Sequence, residues 1–130
     1  MQFRAQHIYG LPYKKINSLL DLDIKSERVY LSRKAIEHIK ERHPYEYQIC
    51  LKNISSIIRN PDYIGQSPGY KDKYELVKII DQEIILVAMN ALANTYGNYP
   101  IESAYIIAKS TLKRRLRTKH LKNLQIKTDA

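Results

Sequence analysis

The fold is decided by residues 74–89, which read YELVKIIDQEIILVAM. Two apolar runs flank the short polar segment 81–83, a pattern that predicts two antiparallel strands joined by a tight turn. The second run, 84–89, is continuously apolar, which predicts a central position in a sheet. In the first run, Lys78 shares a strand face with apolar neighbours, an expensive place for a charge unless it is paired or used.

Two further strands and two helices are predicted around this hairpin. Residues 62–65 and 101–108 have strand composition on either side of it. Before them, apolar residues recur at the helical period over 33–42, where Ser32 is a suitable N-cap, and over 45–59. Helices that precede a run of strands are typical of the α+β class. The sequence therefore predicts N-terminal helices packed on a four-stranded antiparallel sheet.

Length and composition limit the class of protein. A chain of 130 residues suits a single domain over 1–130, and 44% hydrophobic with 27% charged residues excludes wholesale disorder. Cys50 is the one cysteine, which excludes an intrachain disulfide and a cysteine-rich zinc site. We see no apolar segment of signal-peptide or membrane-spanning length and expect a cytoplasmic protein without a membrane partner, although delivery by a dedicated system leaves no such mark.

The positive charge is concentrated at one end. The net charge is +9, and residues 109–130 hold eight Lys and Arg against one Asp, a net +7. We interpret this segment as a basic C-terminal arm that contacts the phosphates of a nucleic acid. The alternative is a solvated tail that contacts nothing.

The helix over 33–42 carries the most informative polar pattern. Lys34, His38 and Arg42 lie four residues apart on one helix face, and His43 follows at the end. A histidine among cations is favoured in its neutral form, which can act as a base. The alternative is a solvated polar stripe paired with neighbouring glutamates. The two histidines lack the spacing and the acidic partner of a hydrolytic zinc helix, so we expect no metal site.

The strand over 101–108 offers two hydroxyl groups. Alternation places Ile101, Ser103, Tyr105 and Ile107 on one face. A hydroxyl and a phenol that point the same way can both donate to a phosphate oxygen. The alternative is that both are ordinary strand residues.

Taken in order, these motifs form a recognisable set. The set resembles the phage-associated branch of the barnase–EndoU–colicin–RelE (BECR, or PBECR) nuclease superfamily over about residues 14–120. The matching segments are Val29-Tyr30-Leu31-Ser32, His38-Ile39 with Arg42-His43-Pro44, Asn60-Pro61-Asp62-Tyr63-Ile64-Gly65, Glu75-Leu76-Val77-Lys78, Ile85-Leu86-Val87-Ala88 and Ser103-Ala104-Tyr105, the last leading into the basic arm.

The resemblance implies a compact BECR-like α+β fold and metal-independent RNA cleavage without a cofactor. Matched by position, the helical motif supplies His38, Arg42 and His43. The early strand supplies Lys78 as a basic residue, and the last strand supplies a hydroxyl and a tyrosine, Ser103 and Tyr105.

These observations lead to an endoribonuclease hypothesis. His38 or His43 takes the proton from a ribose 2′-OH, which attacks the adjacent phosphate to give a 2′,3′-cyclic phosphate. The other histidine, Tyr105 or Lys78 protonates the leaving oxygen, while Arg42 and Lys78 stabilise the phosphorane. Contacts with the RNA are expected from Lys34, Lys109, Lys113, Arg114 and Arg117.

The expected biological setting is that of a toxin or an effector of a phage or mobile element. Its partners would be RNA, such as tRNA, and an acidic immunity or antitoxin protein. Two alternatives stay open: a non-catalytic basic RNA-binding module, and a protein-interaction component on the same fold.

Overall fold

The structure, a computed structural model, describes residues 2–67 and 69–124. Within them it contains five helices and seven strands, which confirms the α+β class. In chain order the elements are β1 (Gln6–Ile8), α1 (Tyr13–Leu20), β2 (Val29–Leu31), α2 (Arg33–Arg42), α3 (Tyr47–Lys52), α4 (Ile54–Arg59), β3 (Tyr63–Gln66), β4 (Lys73–Ile80), β5 (Glu83–Asn90), β6 (Tyr99–Ile106), α5 (Lys109–Arg117) and β7 (Leu121–Asn123).

The sheet is larger than the four strands predicted. Its order is β1-β2-β6-β5-β4-β3-β7, and β3 to β6 form the antiparallel meander that the sequence indicates. The additional strands β1, β2 and β7 have three residues each. The composition of residues 28–31 is that of a short strand, which agrees with β2, whereas β1 and β7 are too short for an alternating pattern to indicate them. The sheet is also mixed, because β2 pairs with β6 in parallel.

A bulge in β6 changes which residues share a face. Ala88 pairs with Ser103 whereas Met89 pairs with Ile101, so Glu102 is an extra residue. Ile101 therefore packs in the main core, while Tyr105 packs on the opposite face. The prediction that Ile101 shares a face with Tyr105 is wrong, because simple alternation takes no account of the extra residue.

The two faces of the sheet are covered by different helices. One face carries the main core, in which Tyr74 and Leu76 of the sheet meet buried residues of α1 to α4 such as Ile39. On the other face α5 covers a smaller cluster that contains Val77 and Leu112. Residues 109–124 of the basic segment are thus folded onto the sheet as α5 and β7; residues 125–130 lie outside the described residues.

The helices begin and end for local reasons. The Ser32 hydroxyl accepts a hydrogen bond from the Ala35 amide at 3.0 Å and so caps α2 where the sequence predicts it. The single helix predicted over 45–59 is instead the pair α3 and α4. The break falls at Asn53, whose side-chain amide donates to the Ile49 carbonyl at 2.8 Å and competes with the helical backbone.

No helix in the described part of the chain combines the length and apolar character that a bilayer crossing requires.

Candidate functional site

His43 and Tyr105 are brought together by the packing of the α2–α3 turn on β6. Their rings stack with centroids 5.0 Å apart and planes at 24°. The turn is held in place by Glu46, whose carboxylate accepts a hydrogen bond from the Ile106 amide at 2.7 Å. That amide points away from β5, where no strand is paired with this part of β6, so the carboxylate satisfies an edge donor.

A buried carboxylate lies on the same face of the sheet. Glu75 of β4 is only 5% exposed. Its Oε1 atom accepts a hydrogen bond from Arg115 Nη1 at 3.0 Å and lies 3.5 Å from His120 Nε2. The second distance is within ion-pair range, but the imidazole nitrogen makes no hydrogen bond. We call these three residues the Glu75 cluster.

The Glu75 cluster adjoins Tyr105. Burial of the Tyr105 ring raises the pKa of its phenol, the charge on Glu75 raises that pKa further, and the guanidinium of Arg115 acts in the opposite direction. The phenol is therefore protonated at neutral pH and can donate a hydrogen bond.

Ser103 lies in the same row of the sheet as Glu75. Ser103 is opposite Ala88, and Ala88 is opposite Glu75. The intervening methyl group leaves room between the hydroxyl and the carboxylate. Ser103 and Tyr105 are both half-buried, so the face is open to solvent beside the cluster.

His120 reaches Glu75 because of the chain path after α5. Lys119 has a φ of 62°, a left-handed conformation that reverses the chain at the helix end. The following strand, β7, pairs with β3, with Leu121 opposite Gly65. A Cβ atom on Gly65 would overlap the carbonyl oxygen of His120, so this close approach requires glycine.

Glu75, Arg115 and His120 were not predicted as site residues. The carboxylate of Glu75 in a largely apolar strand could have indicated a buried ion pair, because an unpaired buried charge is costly. The sequence did not reveal which cations would meet it.

Lys78 lies on the opposite face of β4 from the Glu75 cluster. Its Nζ atom donates to the Asn60 carbonyl at 2.8 Å and lies 3.8 Å from Asp62 Oδ1. Asp62 in turn accepts a hydrogen bond from the Ile79 amide at 2.9 Å. The ammonium group therefore ties the turn between α4 and β3 to the edge of β4, and it does not meet Tyr105.

The remaining predicted residues are exposed basic side chains. Lys34, His38 and Arg42 project from α2 without a hydrogen-bond or ion-pair partner among residues 2–67 and 69–124. The side chains of α5 that were predicted to bind substrate are also exposed and have no acidic partner within that part of the chain: Lys109, Lys113, Arg114 and Arg117. The outer surface of α5, next to the cluster, is thus strongly positive.

A comparison with family profiles identifies the family of the chain. The profile of PBECR3, described as phage-Barnase-EndoU-ColicinE5/D-RelE like nuclease3, matches residues 6–114. The chain belongs to this nuclease family. The PBECR3 match confirms the resemblance drawn from the motifs, and it includes His43, Glu75 and Tyr105 but ends just before Arg115. No curated protein and no solved structure matches the chain significantly.

The geometry of this PBECR3 nuclease combines the groups that acid–base cleavage of a phosphodiester requires. A guanidinium nitrogen at 3.0 Å and an imidazole nitrogen at 3.5 Å lie beside one oxygen atom of the Glu75 carboxylate, and a protonated phenol adjoins them. In the described residues no three His, Cys, Asp or Glu side chains form a group suited to a metal ion.

Proposed function

We propose that this PBECR3 nuclease is an endoribonuclease that cleaves RNA by attack of a ribose 2′-OH on the adjacent phosphate, leaving a 2′,3′-cyclic phosphate. The observation that supports this is the Glu75 cluster, a buried carboxylate with a guanidinium and an imidazole at one oxygen atom. Nuclease activity follows from the family; RNA as substrate and this mechanism are our proposal.

In the proposed mechanism each group of the cluster has one role. The Glu75 carboxylate takes the proton from the 2′-OH, and the imidazole of His120 gives a proton to the departing 5′-oxygen. The guanidinium of Arg115 stabilises the additional negative charge on the phosphorane, so the reaction needs no metal ion for that purpose. Ser103 and Tyr105 donate hydrogen bonds to the phosphate oxygens.

His43 acts in this proposal through Tyr105. Its ring covers one side of the phenol at 5.0 Å and limits the orientations that the phenol can adopt. The exposed basic side chains of α5, which covers the same face of the sheet, hold the phosphates on either side of the cleaved bond.

Cleavage of single-stranded RNA in excess EDTA tests the mechanism. We expect a product with a 2′,3′-cyclic phosphate, identified by mass, and no cleavage where the 2′-OH is replaced by hydrogen. Glu75→Gln should lower the rate about 10²–10⁴-fold, because the amide still accepts the bond from Arg115 but takes up no proton.

The matched control is Glu83→Gln, which changes an exposed carboxylate at the start of β5 and should leave the rate unchanged. Full activity of Glu75→Gln, or equal cleavage of the 2′-deoxy strand, would contradict the proposal.

The cations of α5 without acidic partners in the described part of the chain favour one alternative, a non-catalytic RNA-binding module on the same fold. It predicts salt-sensitive binding without turnover in the same assay.

We also propose that the enzyme acts in the cytoplasm as a toxin or phage effector, with an RNA such as tRNA as its target. An acidic immunity or antitoxin protein would bind the same positive surface of α5. Such a partner should compete with RNA and should be displaced by salt.

A further inference from the structure

A second recess lies at the edge of the sheet, away from the Glu75 cluster. It is a cavity of about 520 Å³ where β1, β2 and the loop 91–98 meet, and we call it the aromatic cavity. The rings of Tyr9, Tyr30 and Tyr96 line it together with the imidazole of His7. The imidazole lies between two of them, 6.4 Å from Tyr9 and 4.9 Å from Tyr30 between ring centroids.

Two of these rings remain open to solvent. Tyr9 is 50% exposed and Tyr96 is 81% exposed, although the exposure of a large apolar ring to water is unfavourable. Aromatic rings whose faces are exposed outside the hydrophobic core are typical of surfaces on which the bases of a single strand stack.

The cavity also has polar groups suited to a nucleotide. Asn98 is a buried polar residue, and its amide nitrogen lies 3.5 Å from His7 Nε2. Arg28 lines the cavity with a guanidinium that has no acidic partner among residues 2–67 and 69–124. An amide offers one donor and one acceptor to a base edge, and a guanidinium binds a phosphate.

The walls of the cavity are held in place before any ligand arrives. The side-chain oxygen of Asn94 accepts hydrogen bonds from the amides of Tyr96 and Asn98, both at 3.0 Å. On the other side, Arg59 Nε donates to the carbonyl oxygen of Tyr9 at 2.8 Å. Because these contacts fix both backbones, binding costs little ordering of the loop.

The aromatic cavity and the Glu75 cluster are on the same face of the sheet. Ile8 and Val29 point into the main core, so His7 and Tyr30, their neighbours along the strands, point to the other face. Tyr30 is paired with Pro100 of β6, and Tyr105 lies five residues further along that strand. One of those residues is the extra residue of the bulge, so the distance is about 13 Å, or four steps of about 3.3 Å. A short single strand can span that distance without crossing the sheet.

We propose that the aromatic cavity binds an unpaired nucleobase of the same RNA strand whose phosphate lies at the Glu75 cluster. This inference rests on RNA being the substrate. The base stacks on the exposed ring of Tyr96, its edge pairs with the amide of Asn98, and Arg28 binds the adjoining phosphate. The cavity thereby fixes the position of the cleaved bond relative to that base.

Binding of a strand that resists cleavage tests this proposal separately from the chemistry. The probe is a fluorescent hexanucleotide with 2′-O-methyl groups, measured by anisotropy in EDTA. Tyr96→Ala should weaken binding about 5- to 100-fold, the range seen when a stacking ring is removed. Arg28→Gln should weaken it as well, because the guanidinium no longer binds a phosphate.

Tyr45→Ala is the matched control. Tyr45 is 99% exposed and lines a recess with Asp81, at the end of β5 opposite the loop 91–98. Its removal should leave the affinity unchanged. The proposal would be overturned if Tyr96→Ala bound the strand with wild-type affinity, or if Tyr96→Ala and Tyr45→Ala weakened binding equally. Loss of cleavage in Glu75→Gln with binding retained would concern only the cleavage mechanism.

Discussion

Glu75 and Lys78 lie three positions apart on one strand and have different surroundings. Glu75 faces α5 and β7, where two basic side chains meet its carboxylate, with Arg115 Nη1 at 3.0 Å. Lys78 faces the turn before β3 and donates to the Asn60 carbonyl at 2.8 Å. Because side chains alternate across a strand, an odd separation places these charges on opposite faces. In the mechanism proposed above, Glu75 therefore takes part in the chemistry and Lys78 has a structural role.

Lys78→Met separates the two roles. Methionine keeps the packing of the aliphatic stem but removes the hydrogen bond to the Asn60 carbonyl and the pair with Asp62. We expect the free energy of unfolding to fall by about 1–3 kcal/mol, measured by urea denaturation. The cleavage rate of the folded variant should stay at the wild-type value.

The control for this variant is Lys71→Met, an exposed lysine in the β3–β4 loop that should affect neither quantity. A loss of cleavage in Lys78→Met with stability retained would return Lys78 to the catalytic machinery.

The candidate site could be predicted only in part. Periodicity identified Ser103 and Tyr105 as neighbours on one face and placed His43 at a helix end. The partners of Glu75 are not visible in the same way, because Arg115 lies 40 residues further along the chain. Which cation meets a buried carboxylate depends on the docking of α5 and β7, and no local pattern encodes that docking.

At the scale of elements, the α2–α3 turn closes an incomplete sheet edge. β6 is paired with β2 only at Tyr99 and Pro100, so the rest of its outer edge has no strand partner in the described part of the chain. Glu46 supplies the missing acceptor for the Ile106 amide at 2.7 Å. The same contact anchors the turn that carries His43 to the ring of Tyr105.

Glu46→Ala should lower the free energy of unfolding by about 1–3 kcal/mol, because it leaves a half-buried amide without an acceptor. Glu46→Gln keeps an acceptor oxygen and should recover most of that stability. Urea denaturation measures the stability, and hydrogen exchange of the Ile106 amide should accelerate in the alanine variant alone. Glu41→Ala, at an exposed position of α2, serves as the control; an equal destabilisation there would contradict the assignment.

The pairing of β3 with β7 depends on one glycine. Gly65→Ala would push the added Cβ atom into the carbonyl oxygen of His120 and displace β7. We expect the free energy of unfolding to fall by about 1–3 kcal/mol and the cleavage rate to fall as it does in His120→Ala.

Gly69→Asn is the comparison for Gly65→Ala. A Cβ atom at Gly69 meets nothing within 4 Å, and asparagine tolerates its positive φ of 73°. This variant should keep full activity. If Gly65→Ala were as active as wild type, the position of His120 would not matter for the reaction.

The long periodic elements were predictable, whereas the three-residue strands β1 and β7 were not. The apolar runs of β4 and β5 and the amphipathic spacing of α2 span eight to ten residues each, enough to establish a period. The three-residue strand β7 depends on its partner β3 more than on its own composition. The helix break at Asn53 depends on one side-chain hydrogen bond. The helical spacing of apolar residues continues across the break, so the sequence pattern does not indicate it.

At the scale of the whole molecule, the sheet separates the main core from the face that carries the proposed binding groups. The main core and the helices α1 to α4 contain buried apolar residues on one face. The other face carries the Glu75 cluster, the aromatic cavity and the exposed cations of α5. Part of the net charge of +9 is therefore concentrated on one side of the molecule, because the basic surface of α5 faces solvent beside the Glu75 cluster.

The salt dependence of RNA binding should show whether the cations on the α5 surface bind the phosphates of the RNA. Lys113→Gln combined with Arg114→Gln should weaken binding, because each substitution removes a cation that binds a phosphate. The slope of log affinity against log salt should become shallower by about 0.7 for every phosphate that the variant no longer neutralises. Fluorescence anisotropy of the 2′-O-methyl strand over a range of salt concentrations measures both the affinity and the slope.

The control for this double variant is Lys14→Gln combined with Lys15→Gln. It removes the same charge from exposed positions of α1, which packs on the opposite face. Equal slopes for both double variants would show that net charge alone, without a defined surface, attracts the RNA.

The late position of β7 in the chain also has a consequence for biosynthesis. A ribosome completes the hairpin of β4 and β5, with Glu75 on it, well before it adds Arg115 and His120. His120 reaches the carboxylate only when β7 closes a long loop onto β3, and Arg115 reaches it only when α5 packs on the sheet. During translation the groups of the proposed cleavage site therefore stay apart, and the ribosomal RNA nearest to the emerging chain would meet that site unassembled.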